Sequence, residues 1–242
     1  MVAGPERHES FFLRAIAALA DTDRRVLIAG CADYGMLELV HRAFVHGRFH
    51  PTVVDRCPLP LMMCAWYGAK TGLRVQTELA DLAALGASDH RTGGEFDLVV
   101  THSLLRYFDA ASRRQLFENW FRLLRPGGRV VTVTRLETGP ANAAVAENAE
   151  AFGRLARQRG AEANVDIDPG RLERWAVRFA SAGVGEFHEV GTIADVVAGF
   201  ESAGFDVATH DVISIDGMLS GDVAVPAAAR SALYAEIEAV RP

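Results

Sequence analysis

Over its first 137 residues the chain alternates short apolar runs with segments of helical period, joined by connections of a few residues. That alternation limits the fold more than any other feature. RVLIAG (25–30), HPTVVD (50–55), LRVQTEL (73–79), EFDLVVTHSLL (95–105) and RVVTVTRLE (129–137) are rich in β-branched and aliphatic residues and are expected as strands. ESFFLRAIAALAD (9–21), GMLELVHRAF (35–44), LPLMMCAWYGAKTG (59–72) and SRRQLFENWFRLLRPGG (112–128) space their apolar residues as helices do, and the last closes on Pro-Gly-Gly. Apolar strands alternating with helices imply an α/β class: a doubly wound, mostly parallel sheet covered on both faces.

The second half breaks this rhythm. Residues 140–190 read as two helices with no strand between them, an insertion after the fifth strand placed to cover an active-site mouth. TIADVVAGFESAGF (192–205) is expected as a helix, FDVATHDVISID (205–216) as a strand, and AVPAAARSALYAEIEAV (224–240) as a C-terminal helix. DVAV (222–225) is the one short candidate for a further strand, so the sheet is expected to lack a partner strand and to leave an edge open to a second copy. The organisation expected over 1–242 is a single domain with an N-terminal helix (1–22) and a helical insertion or lid (140–190).

Composition narrows the class of function. A net charge of −6 argues against a general nucleic-acid or anionic-membrane partner. Cys31, Cys57 and Cys64 form no CxxC pair and point to neither a disulfide framework nor a zinc site, so a reducing cytoplasmic setting is expected. The polar start MVAGPERHESFF has no apolar signal-peptide core, and no stretch is apolar enough to span a bilayer. No metal site is expected.

In doubly wound sheets, ligands bind beyond the carboxyl ends of the strands, near the reversal of strand order. Those ends carry Gly30, Cys31, Ala32, Asp33, Tyr34 and Gly35; Asp55, Arg56 and Cys57; Glu78 and Asp81; Thr101, His102 and Ser103; and Arg135 and Glu137. Gly30 allows close backbone approach, and the helix after it offers free N–H groups. Asp55, 25 residues later, can accept hydrogen bonds from two ribose hydroxyls. Asp81 can bind an exocyclic amine, and Leu82 can offer its N–H to a base ring.

RVLIAGCADYG, VVD, TELADL, EFDLVVTHSLLRYF and LLRPGGRVVTVTR follow one another as do the motifs of class I S-adenosylmethionine-dependent methyltransferases, and over residues 20–137 the chain resembles that family. The resemblance implies a Rossmann-like methyltransferase sheet, S-adenosyl-L-methionine as cofactor and S-adenosyl-L-homocysteine as product. It assigns adenine to Asp81, ribose to Asp55 and the methionine moiety to the Gly30–Gly35 loop. His102, beyond the fourth strand, becomes the candidate catalytic base, or a residue that only shapes the pocket. Arg106, Tyr107, Arg135 and His188 are candidates for acceptor binding or plain surface residues. Phe11, Phe12 and Trp175 are expected to pack a core or close a lid.

Two positions depart from the family. Ala32 replaces a glycine, and Ile28 stands where an acid commonly reaches the ligand's amino end. Asp33 can substitute for that acid or simply cap the following helix. Cys57 can pack on adenine or lie buried as a small apolar residue. The expected activity is methyl transfer to a small-molecule acceptor, with oxygen the first expectation for the accepting atom. The alternatives are a fold that binds S-adenosylmethionine or its product without transfer, and a nicotinamide oxidoreductase, for which Gly30-x-Ala32-x-x-Gly35 keeps the outer GxGxxG spacing.

Overall fold

The computed structural model describes residues 5–17, 19, 23–44, 48–85, 93–136, 145–162, 166–182, 188–216 and 231–242. A short 3₁₀ turn (Pro5–His8) leads into α1 (Glu9–Ala17). Then follow β1 (Arg24–Ala29), α2 (Gly35–Ala43), β2 (Phe49–Asp55), α3 (Pro58–Thr71), β3 (Gln76–Leu79) and β4 (Phe96–His102). After these come α4 (Ala110–Leu123), β5 (Leu124–Arg135), α5 (Val145–Glu162), α6 (Pro169–Ala182), α7 (Ile193–Ser202), β6 (Asp206–Asp216) and β7 (Ser231–Val240).

Seven strands form one sheet in the order β3-β2-β1-β4-β5-β7-β6. The pairs among β1 to β5 are parallel, whereas β7 runs antiparallel to both β5 and β6. From β1 the chain winds outward to β3 and then returns to β4 on the other side of β1. The reversal of strand order therefore lies between β1 and β4, where a ligand crevice is expected.

The central strands form because their side chains are buried on both faces. Val26, Leu27, Ile28 and Ala29 of β1 are all fully buried. Val26 and Ile28 join the layer of α1, α2 and α3, with Phe12, Ile16, Leu37 and Val40. Leu27 and Ala29 join the layer of α4 and α7, with Leu116, Trp120 and Phe200. Alternate residues of one strand thus serve two cores, as the two-residue period of a strand requires.

Local signals set the helix ends near the expected places. Pro58 opens α3, and Gly72 closes it at φ +74°, a left-handed position that suits glycine. Asp109 caps α4 by accepting from the Ser112 N–H. Pro126-Gly127-Gly128 does not finish α4 but lies within β5, where the pairing with β4 jumps from Phe96↔Leu124 to Leu98↔Arg129. The third strand is shorter than expected, starting at Gln76.

The expected C-terminal helix is a strand. SALYAEIEAV pairs along its length with β5 on one side and β6 on the other. Its alanines and glutamates favour a helix, but Tyr234, Ala235, Ile237 and Ala239 are fully buried between the two layers, and sheet context overrides propensity. The sheet therefore does not lack its antiparallel pair, and β5 has no open edge; the outer strands are β3 and β6. DVAV (222–225) lies outside the described residues, as does Glu137.

Candidate active site

At the carboxyl edge of the sheet, backbone and side chains tie four strand ends together. The Gly30 N–H donates to Val54 O at 2.9 Å, and the Ala80 N–H donates to Asp55 O at 3.1 Å. These bonds place the loops after β1, β2 and β3 side by side. The Asp55 carboxylate joins them more closely: Oδ2 accepts from the Cys31 N–H at 2.8 Å and Oδ1 from the Cys57 N–H at 2.7 Å. Each carboxylate oxygen has more than one acceptor site, so this carboxylate still has capacity for two hydroxyls.

Gly30 has φ +71°, and a Cβ there would stand 2.6 Å from Leu104 Cδ1. The first loop therefore touches the segment after β4, and glycine is required on two counts: the left-handed backbone and the close approach. Asp81 is exposed and accepts from the Ala83 N–H at 2.9 Å, and Leu82 beside it is buried. Ala32 and Asp33 are exposed at the loop tip. Asp33 Oδ1 accepts from the Gly35 N–H at 2.6 Å, so this side chain does secure the start of α2.

Cys31 is half-buried against Cys64 of α3. Its hydrogen bond with Cys64, followed by burial, holds the Cys31 thiol far above the usual range, so it sits at the loop as a protonated, unreactive group. Cys57 is exposed, not buried as a small apolar residue would be, because the turn between Asp55 and Pro58 projects from the sheet edge. Arg56 is exposed beside it. Ile28, two residues before Gly30, is fully buried in the core below the loop and offers nothing polar to a ligand.

Beyond β4 the chain turns at Ser103, a non-glycine residue at φ +55°. Backbone held in this region costs energy and gathers at functional sites. The Ser103 N–H donates to Val133 O at 2.7 Å, which anchors the turn to β5. Thr101 and Ser103 are buried, and of the three residues only His102 keeps exposed surface. Thr101 stands opposite Thr132 on the face away from His102, so its side chain packs inside the sheet. Burial, reinforced by the neighbouring His8, lowers the His102 pKa to about 3, and its Nε2 is enclosed without a hydrogen-bond partner among the described residues. His102 is thus neutral at ordinary pH.

The remaining candidates divide. Phe11 and Phe12 are core, with the Phe12 ring 6.3 Å from His102. Trp175 is 47 % exposed on α6 under the Arg171 guanidinium. The His188 N–H donates to Arg106 O at 2.7 Å, and Arg113 donates to Glu189 O at 2.7 Å, so the chain returning from α6 docks on the segment after β4. Tyr107 is 41 % exposed at that docking point, and Arg135 is half-buried at the end of β5. Sequence reasoning missed His8, whose ring lies 5.4 Å from that of His102, and Glu236, which contacts His8 from 228 positions away. Among the described residues, no group of three or more His, Cys, Asp or Glu side chains is arranged to hold a metal ion. No helix among them is long and apolar enough to cross a membrane.

The fold has known counterparts. The methyltransferase domain family matches residues 26–128, the segment from β1 to the Pro-Gly-Gly bulge. No curated protein matches the sequence significantly. Among solved structures, a protein of Galdieria sulphuraria assigned as a sarcosine dimethylglycine methyltransferase superposes with a TM-score of 0.62 at 11 % identity, covering 98 % of this chain and 86 % of that one. The geranyl diphosphate C-methyltransferase of Streptomyces coelicolor A3(2), solved with Mg2+, geranyl diphosphate and S-adenosyl-L-homocysteine, gives a TM-score of 0.61 at 15 % identity over 98 % and 79 % of the two chains. A [4+2]-cyclase gives 0.58 at 13 % identity over 96 % and 80 %. Sheet order and the matched segment agree: residues 26–128 are similar to the methyltransferase domain family, and the chain has the Rossmann-like fold of these methyltransferase structures.

Proposed function

We propose that this chain is an enzyme that transfers the methyl group of S-adenosylmethionine to a small-molecule acceptor, with oxygen the first choice of accepting atom. One observation carries the reading: Asp55 is held by two backbone N–H groups, between a glycine loop packed on Leu104 and the turn before α3. A carboxylate fixed so is preorganised to receive ribose hydroxyls without moving. Asp81 follows Ala80, whose N–H donates to Asp55 O, and this proximity supports its assignment to the adenine amine, with the Leu82 N–H for the ring. The Gly30–Gly35 loop, including Cys31, Ala32 and Asp33, lines the methionine side; Arg56 and Cys57 flank the nucleoside; His102 and the Ser103 turn form the wall toward the acceptor, with Thr101 enclosed behind them.

When bound, S-adenosylmethionine supplies a methyl on a sulfonium that is already activated for displacement. The protein's work is therefore alignment and exclusion of water. The helical insertion, whose returning chain is pinned by His188 and Glu189 to the segment after β4, is the natural cover for that purpose. An acidic protein with this site suits a small acceptor better than a polyanion.

Calorimetric titration with S-adenosylmethionine, S-adenosylhomocysteine and NAD tests the reading, with Asp55→Ala as control. Micromolar binding of the two adenosyl ligands, lost in the variant, supports it. Binding of NAD alone would overturn it. A second reading, in which the ligand is held without methyl transfer, draws support from the exposed Ala32, the buried Ile28 and the similarity to a [4+2]-cyclase. Tight binding with no S-adenosylhomocysteine formed across acceptor classes would favour that second reading.

A further inference from the structure

We propose that the groove between α5 and α6 is a second ligand site, and that it takes a small molecule carrying a phosphate monoester. Its lining residues all belong to the helical insertion, and none is a strand-end residue of the candidate active site. The inference is therefore independent of the methyl-transfer reading.

Two glycines shape the groove. Gly153 and Gly160 lie two turns apart on α5 and share one face of that helix. A Cβ on Gly153 would stand 2.4 Å from Val177 Cγ2, and one on Gly160 would stand 2.3 Å from Leu172 Cδ2. Along that line α6 lies antiparallel to α5, directly against its backbone. Glu150, Arg154 and Arg157 recur at helical spacing along α5 and form one wall, while Arg174 and Arg178 stand one turn apart on α6 and form the other. The groove between them measures about 600 Å3, with half-buried Val177 in its lining. That is room for a small organic molecule rather than a lone ion.

The charge of the groove is not balanced. Four arginines line it against two glutamates, on a chain whose net charge is −6. Both glutamates are engaged by α5: Arg154 Nη1 lies 3.7 Å from Glu150 Oε2, and Arg157 Nη1 lies 3.2 Å from Glu173 Oε2. Arg174 and Arg178 have no carboxylate at ion-pair distance among the described residues. Like charges four apart on a helix repel and weaken it slightly, so this pair costs the free protein something. Gly170 leaves one of them its place, since a Cβ there would stand 3.3 Å from Arg174 Nη1.

Two guanidinium groups without carboxylates match a dianion. A phosphate monoester carries close to two negative charges at neutral pH and offers three terminal oxygens to the planar forks of arginine, which bind phosphate in pairs of parallel hydrogen bonds. A single carboxylate brings half that charge. Glu150 and Glu173 repel an extended polyanion laid along the groove, so the ligand is a small molecule with one phosphate. Its organic part has Val177 to pack on. Held between both walls, it ties α5 to α6 and stabilises the hairpin that forms the insertion.

The plain alternative is that these arginines only solubilise two surface helices. To separate the two, the full-length protein is titrated calorimetrically with phenyl phosphate, and with phthalate as a dianion of carboxylates, at about 0.1 M salt. The double variant Arg174→Gln/Arg178→Gln is run beside Arg159→Gln, which changes an exposed arginine of α5 outside the groove. The expected result is one phenyl phosphate bound per chain with a Kd on the order of 1 mM or tighter, weakened at least about tenfold in the double variant and unchanged in Arg159→Gln. Thermal unfolding gives the second readout. Without ligand the double variant is expected to melt at or above the wild-type temperature, because a repulsion has been removed, and phenyl phosphate is expected to raise the Tm of the wild type only. A lower Tm of the double variant without ligand assigns the arginines to the scaffold and overturns the proposal. No saturable binding up to about 10 mM, equal binding by the double variant, or equal binding of phthalate also overturns it. S-adenosylhomocysteine affinity measured on the same samples is expected to be the same in the double variant as in the wild type, and its loss there overturns the separateness of the two sites.

Discussion

Replacing Asp55 by Asn separates the scaffold role of this carboxylate from its proposed role as a ligand. The side chain keeps its shape but exchanges one acceptor oxygen for an NH2 donor. In the structure Oδ2 serves the half-buried Cys31 N–H and Oδ1 the exposed Cys57 N–H. The amide is expected to turn its oxygen toward Cys31, where water cannot substitute, and its nitrogen toward Cys57, where it can. The folded state then loses one charge-assisted bond at an exposed position, about 1.5 kcal/mol, the lower end for bonds to charged groups. For the nucleoside the change is larger, because a ribose hydroxyl enclosed by the crevice loses its charged acceptor, roughly 1.5–3 kcal/mol. At 1.4 kcal/mol per factor of ten, this amounts to roughly a ten- to hundredfold weaker Kd for S-adenosylhomocysteine. Urea unfolding of the free protein and calorimetric titration of the same preparation report the two quantities. A Kd within threefold of wild type, with stability lowered as expected, would refute the assignment and leave Asp55 as a clasp between loops.

Gly30→Ala forces a side chain into the left-handed region and onto Leu104, which must change rotamer; the expected loss is about 2–3 kcal/mol of stability, read by urea unfolding, together with weakened S-adenosylhomocysteine binding. His102 has a folded-state pKa lowered to about 3 against 6.5, so the unfolded chain binds more protons between those values and stability rises with pH across that window. His102→Gln is therefore expected to flatten the fall in Tm as pH drops from 6.5 toward 3, and an unchanged slope would count against the burial argument. Thr192→Ala removes the capping box of α7, in which Thr192 and Asp195 bond each other's backbone N–H, and is expected to cost about 1 kcal/mol in urea unfolding with cofactor affinity unaltered.

Much of this molecule is legible in its residue order because the physics there is local. The strands β1, β2, β4 and β5 are buried on both faces, so their apolar runs announce them, and the helices between them carry helical spacing. Gly30 and Asp55 are readable for the same reason, since each sits where a strand must end at the crevice. Contacts between distant segments decided the rest. The stretch 231–240 is a strand only because β5 and β6 flank it, and no window of sequence contains either partner. Cys57 is exposed and Thr101 enclosed because of how the turn and the sheet face the surroundings. The pairing of His8 with Glu236 spans 228 positions and depends on that same strand being in place. Sequence alone thus settled the parallel half of the sheet and the loops at its edge, where each residue's neighbours are close along the chain. Only the tertiary structure brought His8 beside His102 and onto Glu236, because burying an imidazole and a carboxylate is tolerable only when each finds the other.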